Sequence, residues 1–188
     1  DARFVPYFDL SFQHASTPVL RRMGRPGDAP SYLALIRRIR ESLPDAALRS
    51  SFIVGFPGET DDDIARLREF LETARLEWVG VFEYSAQDGT PAAAMRDPVP
   101  ADVSAARKAE IETVQEPIVT DRLGARVGAT YTVLVEDRIA GTEIALGRSR
   151  LHAPDVDGLV VVHGCPKSVV PGTVISAEVT GVSGVDLQ

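Results

Sequence analysis

The feature that most constrains this chain is a change of rhythm near residue 130. From Phe4 to Tyr84, apolar runs of strand length alternate with segments of helical period, the pattern of βαβ units and a parallel sheet. Strands are expected over about 4–10, 47–54 and 78–84. Ser16, with Pro18 one step inside, opens a short helix that Gly24 is placed to end. Tyr32, Ile36, Ile39 and Leu43 recur at spacings of four, three and four, which predicts one buried helical stripe. Thr60 caps the next helix, whose apolar face is Ile64, Leu67 and Leu71. Its opening run Asp61, Asp62 and Asp63 suits the positive end of the helix dipole and reads as a capping and solvated face.

Three parallel strands make an incomplete object, because parallel sheets are normally buried on both faces and seldom stop with two open edges. Further strands are therefore expected before residue 1, and the start at Asp1 inside an apolar stretch suggests a fragment. Residues 85–100 hold three prolines and a glycine without periodicity, which marks a loop or linker. A helix is expected from about 101, with Pro117 kinking or interrupting it. From Thr130 onward the texture is short β-rich runs (TYTVLVE, EIALGRSR, GLVVVH, TVISAEVTGV) separated by Gly, Asp and Pro. That spacing suggests a small antiparallel barrel or sandwich. The expected organisation is an α/β part over residues 1–123 and an all-β part over 124–188.

Composition narrows the function classes. A chain of 188 residues with 44% apolar and 25% charged residues can bury a core. No apolar run approaches the roughly 18 residues of a membrane helix, and no basic start precedes a long apolar stretch. The single cysteine, Cys165, excludes an internal disulfide and a cysteine-only metal cluster within this chain. A reducing, cytoplasmic setting is expected. A net charge of −7 disfavours general attraction to a phosphate backbone.

In parallel α/β folds, ligands bind at the carboxyl ends of the strands. Three polar sets fall there: Gln13, His14 and Ser16; Gly55 to Thr60; and Glu83, Tyr84 and Ser85. The stretch GFPGET places two glycines before a helix, yet it lacks the Gly-Lys-Ser/Thr ending of a phosphate loop and is followed by three aspartates. By itself it reads equally as a strand-to-helix turn with Glu59 in solvent. His14 has the chemistry of a ligand or general base, but alone it reads as a hydrogen-bonded structural residue. His152 and His163 each flank a turn and read as surface residues. Cys165 has Lys167 nearby to favour a thiolate, and its commoner reading is a small buried or turn residue. Tyr84 by itself reads as a strand-end packing residue, and no catalytic residue is identified.

The runs FDLSFQHAS, LRSSFIVGFPGET, VGVFEYS and GTPA, in this order, resemble the second half of the radical S-adenosylmethionine (SAM) methylthiotransferases, over essentially the whole chain. QHAS (Gln13 to Ser16), LRSSFIVGFPGE (Leu48 to Glu59) and GRSRLHAPDVDG (Gly147 to Gly158) are similar to the branch that modifies a ribosomal protein. The β-rich end resembles the TRAM domain. The implied fold is the C-terminal half of an open radical SAM (βα) partial barrel followed by a TRAM barrel. The implied activity places a methylthio group on the β-carbon of an aspartate in the twelfth small-subunit ribosomal protein. It uses SAM and two 4Fe-4S clusters: one cleaves SAM to a radical, and the other carries the donated sulfur. The cluster ligands of the family, a CxxxCxxC motif and three further cysteines, are not in this chain. The chain alone is therefore expected to be inactive.

Carried over by resemblance, Gln13, His14, Gly55, Glu59, Phe82 and Tyr84 are expected to contact the cofactor, and no residue is expected to bind metal. The alternatives are a tRNA adenosine methylthiotransferase, or a non-catalytic module binding RNA or protein, which an absence of cysteines upstream would favour. Charge discriminates, because residues 124–188 carry five basic residues against seven acids, whereas an RNA-binding barrel should be basic. Asp155 and Asp157, in a turn of the β-rich part, are the candidates for contact with the ribosomal protein.

Overall fold

A computed structural model describes residues 4–188. The chain divides into two compact units. One comprises residues 9–44 and 48–118; the other comprises residues up to Phe8, 45–47 and 119–188.

The first unit is built on a three-stranded sheet of order β1-β2-β3, with β1 at Tyr7–Asp9, β2 at Ala47–Val54 and β3 at Trp78–Glu83. β2 and β3 run parallel in register from Arg49 opposite Trp78 to Val54 opposite Glu83. Gln13 prolongs the first strand past its end: its N–H donates to the Ser51 carbonyl (3.0 Å) and its carbonyl accepts from the Ile53 N–H (2.8 Å). Helices α1 (Thr17–Arg22), α2 (Ala29–Ser42) and α3 (Asp61–Ala74) fill the crossovers. β2 is buried at every second position and half-buried between from Leu48 onward, as a strand with one face under helices must be. Phe12, Phe52, Tyr32 and Phe70 lock helices to sheet. Phe12 stacks on Tyr32 at a centroid distance of 4.2 Å, and Phe70 meets Phe12, Phe52 and Tyr32 edge-on at 5.8–6.3 Å. Such pairs add about 1 kcal/mol each beyond area burial.

Two expectations change here. The α2 stripe is buried only at Ile36; Leu43 lies past the helix end and is exposed. Asp63 is not solvated. It closes a capping box with Thr60, and its carboxylate also accepts from the Ser16 hydroxyl of the preceding crossover. Burial pushes its carboxyl up, but the hydrogen bonds from Ser16 and Thr60, with His14 nearby, outweigh burial and hold it below the ordinary aspartate range. At the other end of α3, Arg75 takes the left-handed cap conformation. There Arg40 donates to the Ala74 and Arg75 carbonyls at 2.6 Å each, satisfying carbonyls the helix end leaves open.

Helix α4 (Ala101–Gly124) is unbroken through Pro117. A proline in mid-helix removes one backbone donor, and here that loss does not end the helix. Residues 85–100 form the expected loop, with one 3₁₀ turn at Pro91–Ala94.

The second unit holds β4 (Thr130–Arg138), β5 (Ala145–Ser149), β6 (Val160–Val162), β7 (Val174–Glu178), β8 (Val182–Ser183) and β9 (Asp186–Leu187) in the order β7-β4-β5-β6-β9-β8. All neighbours are antiparallel except β6 and β9, which are parallel. β7 and β8 occupy opposite ends of this order, yet residues 179–181 alone join them. So short a link spans only about 3.5 Å per residue, so the sheet must curl until its two edge strands come close together. It is a barrel. Gly147 allows the close approach of β5 to β4, since a Cβ there would lie 2.3 Å from the Leu134 carbonyl oxygen. Val135, Ala145 and Cys165 form a small core inside, packed by Val162, Val169 and Ile175.

Candidate functional site

The carboxyl ends of β1, β2 and β3 open onto a cleft of about 670 Å³, within the range of small-molecule sites. Its floor carries Gln13, Ser51 and Ile53; one wall is Phe56, Phe82 and Tyr84; the opposite rim is the end of α1 and the following turn, Arg22 to Arg25; Met95 approaches from the 3₁₀ segment. Gln13 holds φ at +68°, a conformation costly for any side chain but glycine. The two backbone bonds to β2 hold it there. The Tyr84 ring meets Phe56 edge-on at 5.0 Å. Its hydroxyl is buried and has no hydrogen-bond partner among the described residues, a state that costs about 1–3 kcal/mol unless a ligand fills it.

Of the six residues carried over from the sequence, the structure brings Gln13, Phe82 and Tyr84 to the cleft. His14, Gly55 and Glu59 lie together in a buried polar cluster. His14 Nδ1 accepts from the Ser16 N–H (2.9 Å), which leaves its proton on Nε2, facing the Glu59 carboxylate at 3.4 Å. Glu59 Oε1 accepts from the Gly55 N–H (2.9 Å) and from Arg107 Nη1 of α4 (3.0 Å). Arg107 also donates to the Glu59 carbonyl and to Asp61 (2.7 Å). Glu59 is therefore not in solvent. It sets the turn from β2 into α3, and through Phe56 that turn shapes the cleft wall. Gly55, at φ +74°, packs so closely on α4 that a Cβ would come within 2.0 Å of Ser104 Oγ.

The rim residues Arg22 and Arg25 were not singled out in the sequence. Their signal was available, because VLRRMGRPG follows directly on the first strand-end set. Arg107 gave no such signal, lying 48 residues beyond its partner Glu59.

In the barrel, His152 is buried rather than on the surface as its sequence suggested. The chain around GRSRLHAPD folds back so that Ser149 Oγ meets His152 Nδ1 at 3.0 Å. Burial lowers its pKa to about 4, against the opposing influences of Asp186 and Ser149. His163 is exposed. Cys165 is buried, with Arg138 Nη1 at 3.2 Å from its sulfur. Asp155 is exposed at φ +63°. Asp157 is half-buried, its carboxylate accepting from the Tyr7 hydroxyl (2.5 Å) and the Ala153 N–H (2.8 Å). Among the described residues no group of three or more His, Cys, Asp and Glu is placed to hold a metal ion.

Comparison with known proteins follows these two units. The profile of the radical SAM superfamily matches residues 1–71, and that of the TRAM domain matches residues 127–188. Sequences 51% identical over 87% of this chain (Methylococcus capsulatus) and 46% identical over 98% of it (Cutibacterium acnes) are ribosomal protein uS12 methylthiotransferases, RimO. Over nearly its whole length the chain is similar to the radical SAM methylthiotransferases. It spans 37–38% of the length of these two curated relatives. The radical SAM fold is seen again in a solved structure, the coproporphyrinogen III oxidase HemN of Escherichia coli. The two align with a TM-score of 0.50 at 20% identity, over 60% of this chain and 26% of that one. Radical SAM methylthiotransferases work with SAM and iron–sulfur clusters. This chain has one cysteine, buried in the barrel.

Proposed function

We propose that this chain is part of an enzyme that places a methylthio group on the β-carbon of an aspartate in ribosomal protein uS12, with SAM bound in the cleft at the strand ends. The observation that carries the reading is the 51% and 46% identity to uS12 methylthiotransferases over nearly the whole chain. Residues 1–123 are the C-terminal part of the radical SAM domain with its helix, and residues 124–188 the TRAM barrel. The setting is the cytoplasm, where ribosomes are assembled; among the described residues no helix is long and apolar enough to cross a membrane.

The cleft fits an adenosyl compound. A flat base needs an apolar wall, supplied by Ile53, Phe56 and Phe82, and a few polar groups that fix its orientation. Gln13 and the buried Tyr84 hydroxyl are those groups. Bound SAM supplies the methyl group and the radical precursor. Gln13, Phe82 and Tyr84 touch the cofactor, whereas His14, Gly55 and Glu59 act from behind the wall by holding the turn that carries Phe56. No such fit exists for the clusters. One cysteine cannot supply three thiolates, so this chain by itself carries out no radical chemistry. Asp155 offers the exposed acid for a basic partner, while Asp157 supports its turn.

Two measurements test this. Titration calorimetry of the 188-residue chain with SAM should show binding that Tyr84→Phe weakens about tenfold, the loss of one buried hydrogen bond. Absence of binding would remove SAM from the cleft. Expression of the whole enzyme in cells lacking their own uS12 methylthiotransferase should add a methylthio group to one uS12 aspartate, read by mass spectrometry. Methylthiolated adenosine in tRNA instead would overturn the substrate.

A further inference from the structure

Phe56, in the wall of the cleft, is held from both sides by one residue. The Glu59 N–H donates to the Phe56 carbonyl (2.9 Å), and Glu59 Oε1 accepts from the Gly55 N–H (2.9 Å). Glu59 therefore closes the turn around Phe56, and it does so with a side chain fully shielded from solvent. A carboxylate in that position is costly unless a cation and hydrogen bonds accompany it. Arg107, on α4, brings both. Its Nη1 donates to the Glu59 carbonyl (3.2 Å) and carboxylate (3.0 Å), and its Nη2 to Asp61 (2.7 Å), whose side chain stands in solvent. The other titratable groups facing the cluster are His14, 3.4 Å from Glu59, and Asp63 of α3. Asp63 is matched by Arg22 of α1 at 3.7 Å and by the hydroxyls of Ser16 and Thr60. Among the described residues, Arg107 is thus the one arginine or lysine paired with Glu59.

We infer that Arg107 is a positioning residue of the cofactor site: as the counter-charge of the Glu59 carboxylate it fixes the turn that carries Phe56, and so sets the affinity for SAM from a helix that does not line the cleft. The inference rests on the proposed reading that SAM binds at the strand ends. Arg107 touches neither cofactor nor substrate. Its guanidinium works as a fork, one nitrogen on the carbonyl and carboxylate of Glu59 and the other on Asp61, which a single ammonium does not reproduce. With Arg107 removed, the buried carboxylate has no cation, and the His14–Glu59 pair regains neutrality by taking up one proton. A turn held by packing alone would show no such dependence on pH.

The test measures the SAM affinity of the 188-residue chain by titration calorimetry, each variant against wild type at the same pH, with folding checked by the fluorescence of buried Trp78. Arg107→Met should weaken binding about tenfold at pH 8 but only about twofold at pH 6, where a proton stands in for the lost charge. Arg107→Lys keeps the charge without the fork and should weaken binding about threefold at both pH values. Adding Glu59→Gln to Arg107→Met removes the unmatched charge yet keeps an acceptor for the Gly55 N–H, and should return the affinity to within about threefold of wild type at both pH values. Asp61→Asn, which removes the exposed partner of Arg107, should leave the affinity unchanged. An Arg107→Met loss of equal size at both pH values would overturn the inference. So would a double variant no better than Arg107→Met, or an Asp61→Asn loss as large. If Arg107→Met does not fold, the double variant decides: recovery of SAM binding supports the charge balance, and failure to fold or to bind overturns it. A wild-type chain that binds no SAM would overturn the reading of the cleft and the inference together, whereas wild-type binding that no variant changes would overturn the inference alone.

Discussion

Replacing Gly55 with alanine tests whether the GFPGE turn is held against α4 as tightly as its geometry implies. At φ +74° any Cβ costs about 1–2 kcal/mol in backbone strain. The added atom would lie 2.0 Å from Ser104 Oγ and 2.8 Å from Ser104 Cβ. Ser104 is buried, so the overlap is relieved only by moving the helix or the turn, a cost of about 1–3 kcal/mol for overpacking. Gly55→Ala should therefore lose about 3.5 kcal/mol in all. Ser104→Gly removes both clashing atoms and leaves only the Cα at 3.6 Å, an ordinary contact. Alone it costs about 1 kcal/mol as a glycine within a helix. The double variant should then lose about 2.5 kcal/mol rather than the additive 4.5, a coupling of about 2 kcal/mol. Urea unfolding followed by the fluorescence of Trp78 reads this unit directly, because the single tryptophan of the chain is buried in β3. A Gly55→Ala loss below about 0.5 kcal/mol, or strict additivity, would refute the reasoning.

Two further outcomes are expected. His152 has a folded pKa of about 4 against an ordinary 6.5, so the unfolded chain binds a proton first. The stabilisation is complete above pH 6.5 and falls by about 3 kcal/mol as pH drops to 4. Barrel melting followed from pH 7 to 4 should show this slope, and His152→Gln should flatten it. Arg138 donates to the Cys165, Pro166 and Val169 carbonyls at 2.8–3.0 Å and holds the loop over the Cys165 sulfur. Arg138→Ala should cost about 2 kcal/mol and speed thiol-reagent labelling of Cys165 at least tenfold; unchanged labelling would refute the clamp.

Local pattern made the strands, the helix starts and the barrel texture legible, since strand and helix periods are written in neighbouring residues. Thr60 and the strand over 47–54 fall where their patterns put them. What stayed hidden depends on partners distant in sequence. Asp63 was expected in solvent because its neighbours Asp61 and Asp62 are; Ser16, 47 residues away, makes it a buried acceptor. His152 flanks a turn, which suggests exposure, but the turn folds over it. The strand-end rule located the cleft, yet it could not separate residues facing it from residues behind its wall. Gln13 and His14 are adjacent, but Gln13 sits in the left-handed region at φ +68°, and the two side chains part there: Gln13 lines the cleft and His14 is buried beside Glu59. The resemblance carried both to the cofactor, and the geometry parts them.

The three-residue link 179–181, which joins the two edges of the barrel, also sets where this domain can change length. The connections between β4 and β5 and between β5 and β6 leave and return on the same side, so added residues there bulge outward at a modest entropic cost. Residues added to the closing link would let the two edge strands β7 and β8 drift apart and leave both more open to pairing with another chain. Domains of this kind should therefore vary in loop length everywhere except at that closure, and a chain cut at 179–181 should open where one cut between β5 and β6 stays shut.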